Sequence, residues 1–160
     1  MSKIEDWLDC YDPEGRVFPR LPTKSKLSAR DVLLILKWKL GRIKDSNCKT
    51  VAKASLKAIN EAIQLAENDR TKIKAVKMLT KISRIKLATA SAILTVCHPD
   101  KFSIIDWRVL ESMRLRPSRA EEWSAKDYVQ KFLPKLAKYR DKCGKSLRDT
   151  DRAPLGQIGQ

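Results

Sequence analysis

Histidine, glycine and closely spaced cysteines are what this sequence lacks. Its one histidine, His98, leaves any serine-histidine or cysteine-histidine nucleophile system resting on a single ring. Cys10, Cys48, Cys97 and Cys143 stand far apart, whereas small zinc sites and disulfide frameworks need paired ligands at close spacing. All four read as reduced thiols, and we expect no metal and no cofactor. No apolar run is long enough to span a bilayer, and neither a signal peptide nor a lipidation motif is evident. These absences predict no membrane partner and an intracellular location, cytoplasmic (nucleoid-associated) or nuclear. Glycine and proline number 5 and 7 in 160 residues and gather near the ends, and no stretch alternates apolar with polar as a strand does.

What remains is rich in Ala, Leu, Ile and Lys, the composition of packed helices with short links. The expected fold class is all-α, a compact helical bundle around one core, because a chain of 160 residues is too short for two comfortable ones. Acidic residues are also in short supply. Against 34 Lys and Arg stand 19 Asp and Glu, a formal net charge of +15. That excess repels itself in a compact state unless a polyanion offsets it, so DNA is the leading partner, with RNA behind it and solubility alone as the bland alternative. Oligomeric state is not legible.

Three regions follow: an N-terminal helix and proline-containing loop (1–27), a helical domain (28–144) and a tail (145–160). Ile4 to Leu8 is amphipathic, and Pro13, Gly15, Pro19 and Pro22 interrupt the loop after it. Ser28 is placed to cap a central helix running to about Ile43, whose apolar run from Val32 to Leu36 predicts burial on more than one side. Asn47 is the expected cap of the next helix, ending near Asn68, with Ala52, Leu56, Ile59 and Ile63 on its buried face. Asp69 is the expected cap of a short helix with Ile73, Val76 and Leu79 inward. Small residues Ala88, Ala90, Ser91 and Ala92 suit a helix that approaches its neighbours closely, ended by Pro99. Further helices are expected near Asp106 and from Ser124, the last with Tyr128, Phe132, Leu136 and Tyr139 on one side and a kink at Pro134.

The functional signal lies between Arg70 and Pro99, where seven Lys or Arg occur with no acidic residue. Lys77, Lys81, Arg84 and Lys86 lead into the presumed turn between two helices, where unpaired amides and the positive end of a helix dipole also favour an anion such as phosphate.

In the same place the segment Ile82-Ser83-Arg84-Ile85-Lys86-Leu87-Ala88-Thr89-Ala90-Ser91-Ala92-Ile93-Leu94, followed by Pro99-Asp100-Lys101-Phe102-Ser103-Ile104-Ile105-Asp106-Trp107-Arg108-Val109, resembles the helix-hairpin-helix and "GPD" region of the DNA glycosylase superfamily that includes endonuclease III. Around Trp38-Lys39 the chain is more weakly similar to bacterial members of that superfamily. The resemblance implies a glycosylase-like helical fold with a helix-hairpin-helix motif, DNA as ligand, and Asp106 at the position of the catalytic aspartate.

Two departures accompany it. Arg84 and Lys86 stand where the hairpin glycines belong, replacing close backbone approach to phosphate with side-chain charge. Ala88 stands where lyase-competent members carry a Schiff-base lysine, and Lys86 is turned about 200° from that position on a helix. A lysine-type lyase is therefore disfavoured, and the cysteines of an iron-sulfur motif are absent.

Two function classes follow. The first is a monofunctional DNA glycosylase, flipping and excising an altered base in base-excision repair. In it Asp106 is catalytic, Lys77, Lys81, Arg84, Lys86 and Arg108 hold the DNA, and Trp107 and Trp38 wall a base pocket. The alternative is a non-catalytic DNA-binding or scaffold protein that keeps the fold without the chemistry. At residue level the same fork is open: Asp106 also suits an ordinary N-cap, Trp38, Trp107 and Trp123 also suit a core, and Arg108 suits either Asp106 or phosphate.

Overall fold

The computed structural model describes residues 25–39 and 44–143. The expected N-terminal helix, most of the loop after it, the end of the first central helix and the tail from 145 lie outside the described residues. Every regular element among the described residues is helical: α1 (Ala29–Lys39), α2 (Asp45–Leu65), α3 (Lys72–Thr80), α4 (Leu87–Cys97), α5 (Trp107–Ser112) and a composite rod, α6, in which Ala125–Asp127, Tyr128–Phe132 and Leu133–Cys143 follow without a break. None of the described helices is long and apolar enough to cross a membrane.

The first start signal operates as expected. Ser28 Oγ accepts the Asp31 N–H at 3.1 Å while Asp31 Oδ2 accepts the Ser28 N–H at 3.0 Å, a reciprocal capping box with Asp in the place Glu usually takes. Val32, Ile35 and Leu36 are fully buried and Leu33 and Leu34 partly so, as a helix wedged between α2 and α4 requires. Asn60 of α2 binds the main chain of Leu27 in both directions, at 2.8 and 2.9 Å, fixing the entry into α1.

Two other start signals are displaced. Asn47 is inside α2, not its cap: its N–H and that of Cys48 both bond to the Lys44 carbonyl, so the helix opens three residues early with no side-chain cap. At its far end α2 stops at Leu65 rather than near Asn68, and it is Asn68, not Asp69, whose side chain caps by accepting the Arg70 N–H at 2.9 Å. A 3-10 turn, Asp69–Thr71, then leads into α3. Asn68 and Asp69 are adjacent and can cap in the same way, which spacing alone does not rank.

α4 is the axis of the core. Every residue from Thr89 to Cys97 is buried, and the small side chains Ala90, Ser91 and Ala92 let the extended chain at 102–105 lie against it. Two buried hydrogen bonds hold that chain: Ser91 Oγ accepts the Ile105 N–H at 3.1 Å while donating to the Ala88 carbonyl at 2.7 Å, and Tyr128 Oη donates to the Ser103 carbonyl at 2.6 Å. His98 follows α4 directly and donates from Nε2 to the Ile63 carbonyl at 2.9 Å.

Ser124 caps α6 by accepting the Asp127 N–H at 3.0 Å, and Tyr128, Phe132 and Leu136 are buried on one side as the spacing predicts. The expected disruption at Pro134 takes the form of a wide π turn at Tyr128–Phe132, closed by the Leu133 N–H on the Tyr128 carbonyl. Widening by one residue just ahead of the ring relieves the clash a proline makes with the carbonyl four residues back.

Candidate functional site

α3 and α4 are joined by a short turn held by the Ile82 N–H on Leu79 and the Ile85 N–H on Ile82. Within it Arg84 has φ of 67°, the left-handed region that glycine enters without strain, so a cation occupies the one conformation in this turn that favours glycine. Lys86, at φ −99° and ψ 179°, is ordinary extended chain. It precedes α4 without a side-chain cap, and no acidic residue enters the first turn of that helix. The amides of Leu87, Ala88 and Thr89 therefore have no carbonyl behind them within the helix, since the first helical bond is from Ala90 to Lys86. Lys77, Lys81, Arg84 and Lys86 are all exposed. Lys72 differs from the rest of the run. Its ammonium lies 5.5 Å from the Phe102 ring centroid and 3.2 Å from Asp69, so that cation serves the protein itself.

Beside this turn opens a cleft of about 630 Å³, within the roughly 300–1,000 Å³ typical of ligand pockets. Four elements build it: Trp38 and Lys39 at the end of α1, Ala88 in the first turn of α4, Asp106, Trp107 and Arg108 at the start of α5, and the 3-10 turn Ala120–Glu122 with Arg119 before it. Asp106, Trp107, Arg108 and Trp38, singled out in sequence segments about seventy residues apart, thus share one cavity. So does Ala88. Lys86 does not line it but is close enough to act electrostatically on Glu121. Lys77, Lys81 and Arg84 do not line it.

Asp106 is the N-cap of α5: at φ −147° and ψ 172° its Oδ1 accepts the Val109 N–H at 3.0 Å. The capping role is therefore present, in a half-buried carboxylate that also lines the cleft. Trp107 does not belong to the core; at 54% exposure it is an exposed large hydrophobic side chain, with the Arg108 guanidinium 5.5 Å over its ring. Among the described residues Arg108 forms no ion pair with Asp106. Trp38 is half-buried against the core, with Lys39 Nζ 5.4 Å from its ring centroid. Trp123 does not line the cleft. Its Nε1 donates to the Pro117 carbonyl at 2.7 Å and its ring meets Phe132 edge-on, pinning the loop that carries Arg119 and Glu121.

Lys39, Arg119 and Glu121 escaped the sequence reading. Lys39 had a signal in its neighbour Trp38, but nothing in periodicity places a turn at 120–122 against the start of α4. Arg119 Nη2 lies 3.0 Å from Glu121 Oε1. The Glu121 carboxyl is held below its ordinary range first by its own backbone N–H, an effect that burial opposes and that the Arg119 guanidinium and Lys86 then reinforce. Among the described residues no three His, Cys, Asp or Glu side chains gather as a metal site, and Cys48 and Cys97 are buried. No family model, curated protein or solved structure matches the chain.

Proposed function

We propose that this protein binds DNA across the α3–α4 turn, acting as a helix-hairpin-helix motif, and turns a base out of the duplex into the adjoining cleft, where Asp106 promotes hydrolysis of its N-glycosidic bond. The observation that carries the reading is the meeting of Trp38, Ala88, Asp106, Trp107 and Arg108 in one cavity next to Lys86. Exposed tryptophan faces suit a flipped base, because stacking stabilises it away from the duplex. Arg84, Lys86 and the first-turn amides of α4 suit the phosphates flanking it. As the C1′–N bond breaks, positive charge develops on the sugar; the Asp106 carboxylate stabilises it or takes a proton from the water that adds to C1′, and the base leaves with the bonding electron pair. Ala88 leaves no amine at the position where the resembled family's lyases carry one, and the amine that Lys39 brings to the cleft lies 5.4 Å from the Trp38 ring centroid, so the scheme proposed is that of a monofunctional glycosylase without a Schiff base at that position.

A second reading, a DNA-binding scaffold without chemistry, is favoured by one observation: Asp106 Oδ1 is already engaged by the Val109 N–H. The variant Asp106→Asn separates the two, because an amide caps as well as a carboxylate but carries no charge. Glycosylase action requires base release from at least one lesion in a panel of damaged oligonucleotides, abolished in Asp106→Asn with binding nearly intact. No release by the native protein from any lesion supports the scaffold.

A further inference from the structure

Glu121 is the second carboxylate of the cleft, and this scheme leaves it without a task. The 3-10 turn brings it to the same cavity as Asp106 and Trp107. Arg119 fixes one of its oxygens at 3.0 Å, while 41% of its side chain stays open to solvent. Its own amide, Arg119 and Lys86 keep it ionised through neutral pH, so it has no proton to give a departing base. An ionised carboxylate accepts hydrogen bonds and donates none. Flat indole faces and a cavity of this size suit a planar heteroaromatic ring; Lys39, Arg108 and Arg119 bring donors to the same lining, and at Glu121 the ring meets an acceptor that only an N–H on its edge can use. A base whose facing edge carries only acceptors would meet the carboxylate oxygen to oxygen.

Resting on the base-pocket reading above, we propose that Glu121 is the specificity-determining residue of the cleft, accepting a hydrogen bond from the exocyclic amino group of the extruded base, so that amino-bearing bases are its substrate class. Carboxylates accept in the same way from the cytosine amino group when proteins read DNA in the major groove.

The test uses duplexes identical but for one bulged nucleotide, in two pairs that differ by a single amino group: adenine against unsubstituted purine, and cytosine against pyrimidin-2-one. Binding of the native protein is measured by fluorescence anisotropy, and the amino-bearing member of each pair is expected to bind about tenfold tighter. Glu121→Gln, whose amide both donates and accepts, should reduce that ratio to about twofold or less. The ratio is the readout because losing a negative charge strengthens binding to every duplex alike. A native ratio near one, or a ratio that survives Glu121→Gln, overturns the role of Glu121 and leaves the pocket standing. Bulged duplexes that bind no more tightly than a fully paired one overturn the base-pocket reading and this inference with it.

Discussion

Asp106 holds two roles at once, and substitutions separate them. Asp106→Ala removes the cap of a six-residue helix and should cost about 1 kcal/mol in urea unfolding, whereas Asp106→Asn should cost a few tenths at most. Equal losses would mean that the charge, not the cap, stabilises α5. Arg84 presents the converse case. Held at φ 67° and exposed, it bears strain that glycine lacks, so Arg84→Gly should raise stability by about 1 kcal/mol while weakening DNA binding. Glu121 adds a pH dependence. Its carboxyl titrates below its ordinary 4.5 in the folded protein, so its contribution to stability is fully present above that value and is lost as pH falls through the depressed one. The stability difference between native protein and Glu121→Gln should therefore shrink as unfolding is measured from about pH 6 down to about pH 3. At this scale the sequence singled out Asp106, Trp107, Trp38 and Lys86, and the structure brings the first three to one cleft. Arg119 and Glu121 had no such segment, because a 3-10 turn carries no periodicity and its position depends on Trp123 reaching back to Pro117.

At the scale of elements, the helices with strong amphipathic spacing were legible and their ends were not. The buried faces of α2 and α6 follow from i, i+3, i+4 patterns and that of α1 from its apolar run; on α3 Val76 and Leu79 are buried as expected, but Ala75 rather than Ile73 joins them. Helix starts went astray where two candidate caps stand side by side, as with Asn68 and Asp69. The π turn before Pro134 shows a further limit: proline announces that the ladder must change, but not whether a kink or an extra residue absorbs the change. α4 was legible by its small residues, and its packing against the chain at 102–105 sets the position of Asp106. Ser91→Ala should strand the buried Ile105 N–H and cost about 1–3 kcal/mol in urea unfolding, with a larger loss of base release than of DNA binding, because Asp106 is the next residue. A change below about 0.5 kcal/mol would show that the Ile105 amide finds another partner.

For the molecule as a whole, the decisive property is the formal charge of +15. It was plain from composition, but composition does not say where the charge acts. The described structure narrows that: Lys72 is turned to Asp69 and Phe102, while Lys77, Lys81, Arg84 and Lys86 are exposed, the last near enough to Glu121 to act on it electrostatically. Both function readings share the claim that cations of the α3–α4 turn hold the phosphate backbone, and counterion release tests it. Each phosphate that a side-chain cation no longer neutralises makes the slope of log binding constant against log salt concentration shallower by about one. The direct measurement is that slope for the native protein and for Lys81, Arg84 and Lys86 all changed to Ala, with Lys53→Ala on α2 as control. The account predicts a slope shallower by about two to three for the triple variant and nearly unchanged for the control. A triple variant with the native slope would contradict it, placing the nucleic acid elsewhere on the molecule or nowhere.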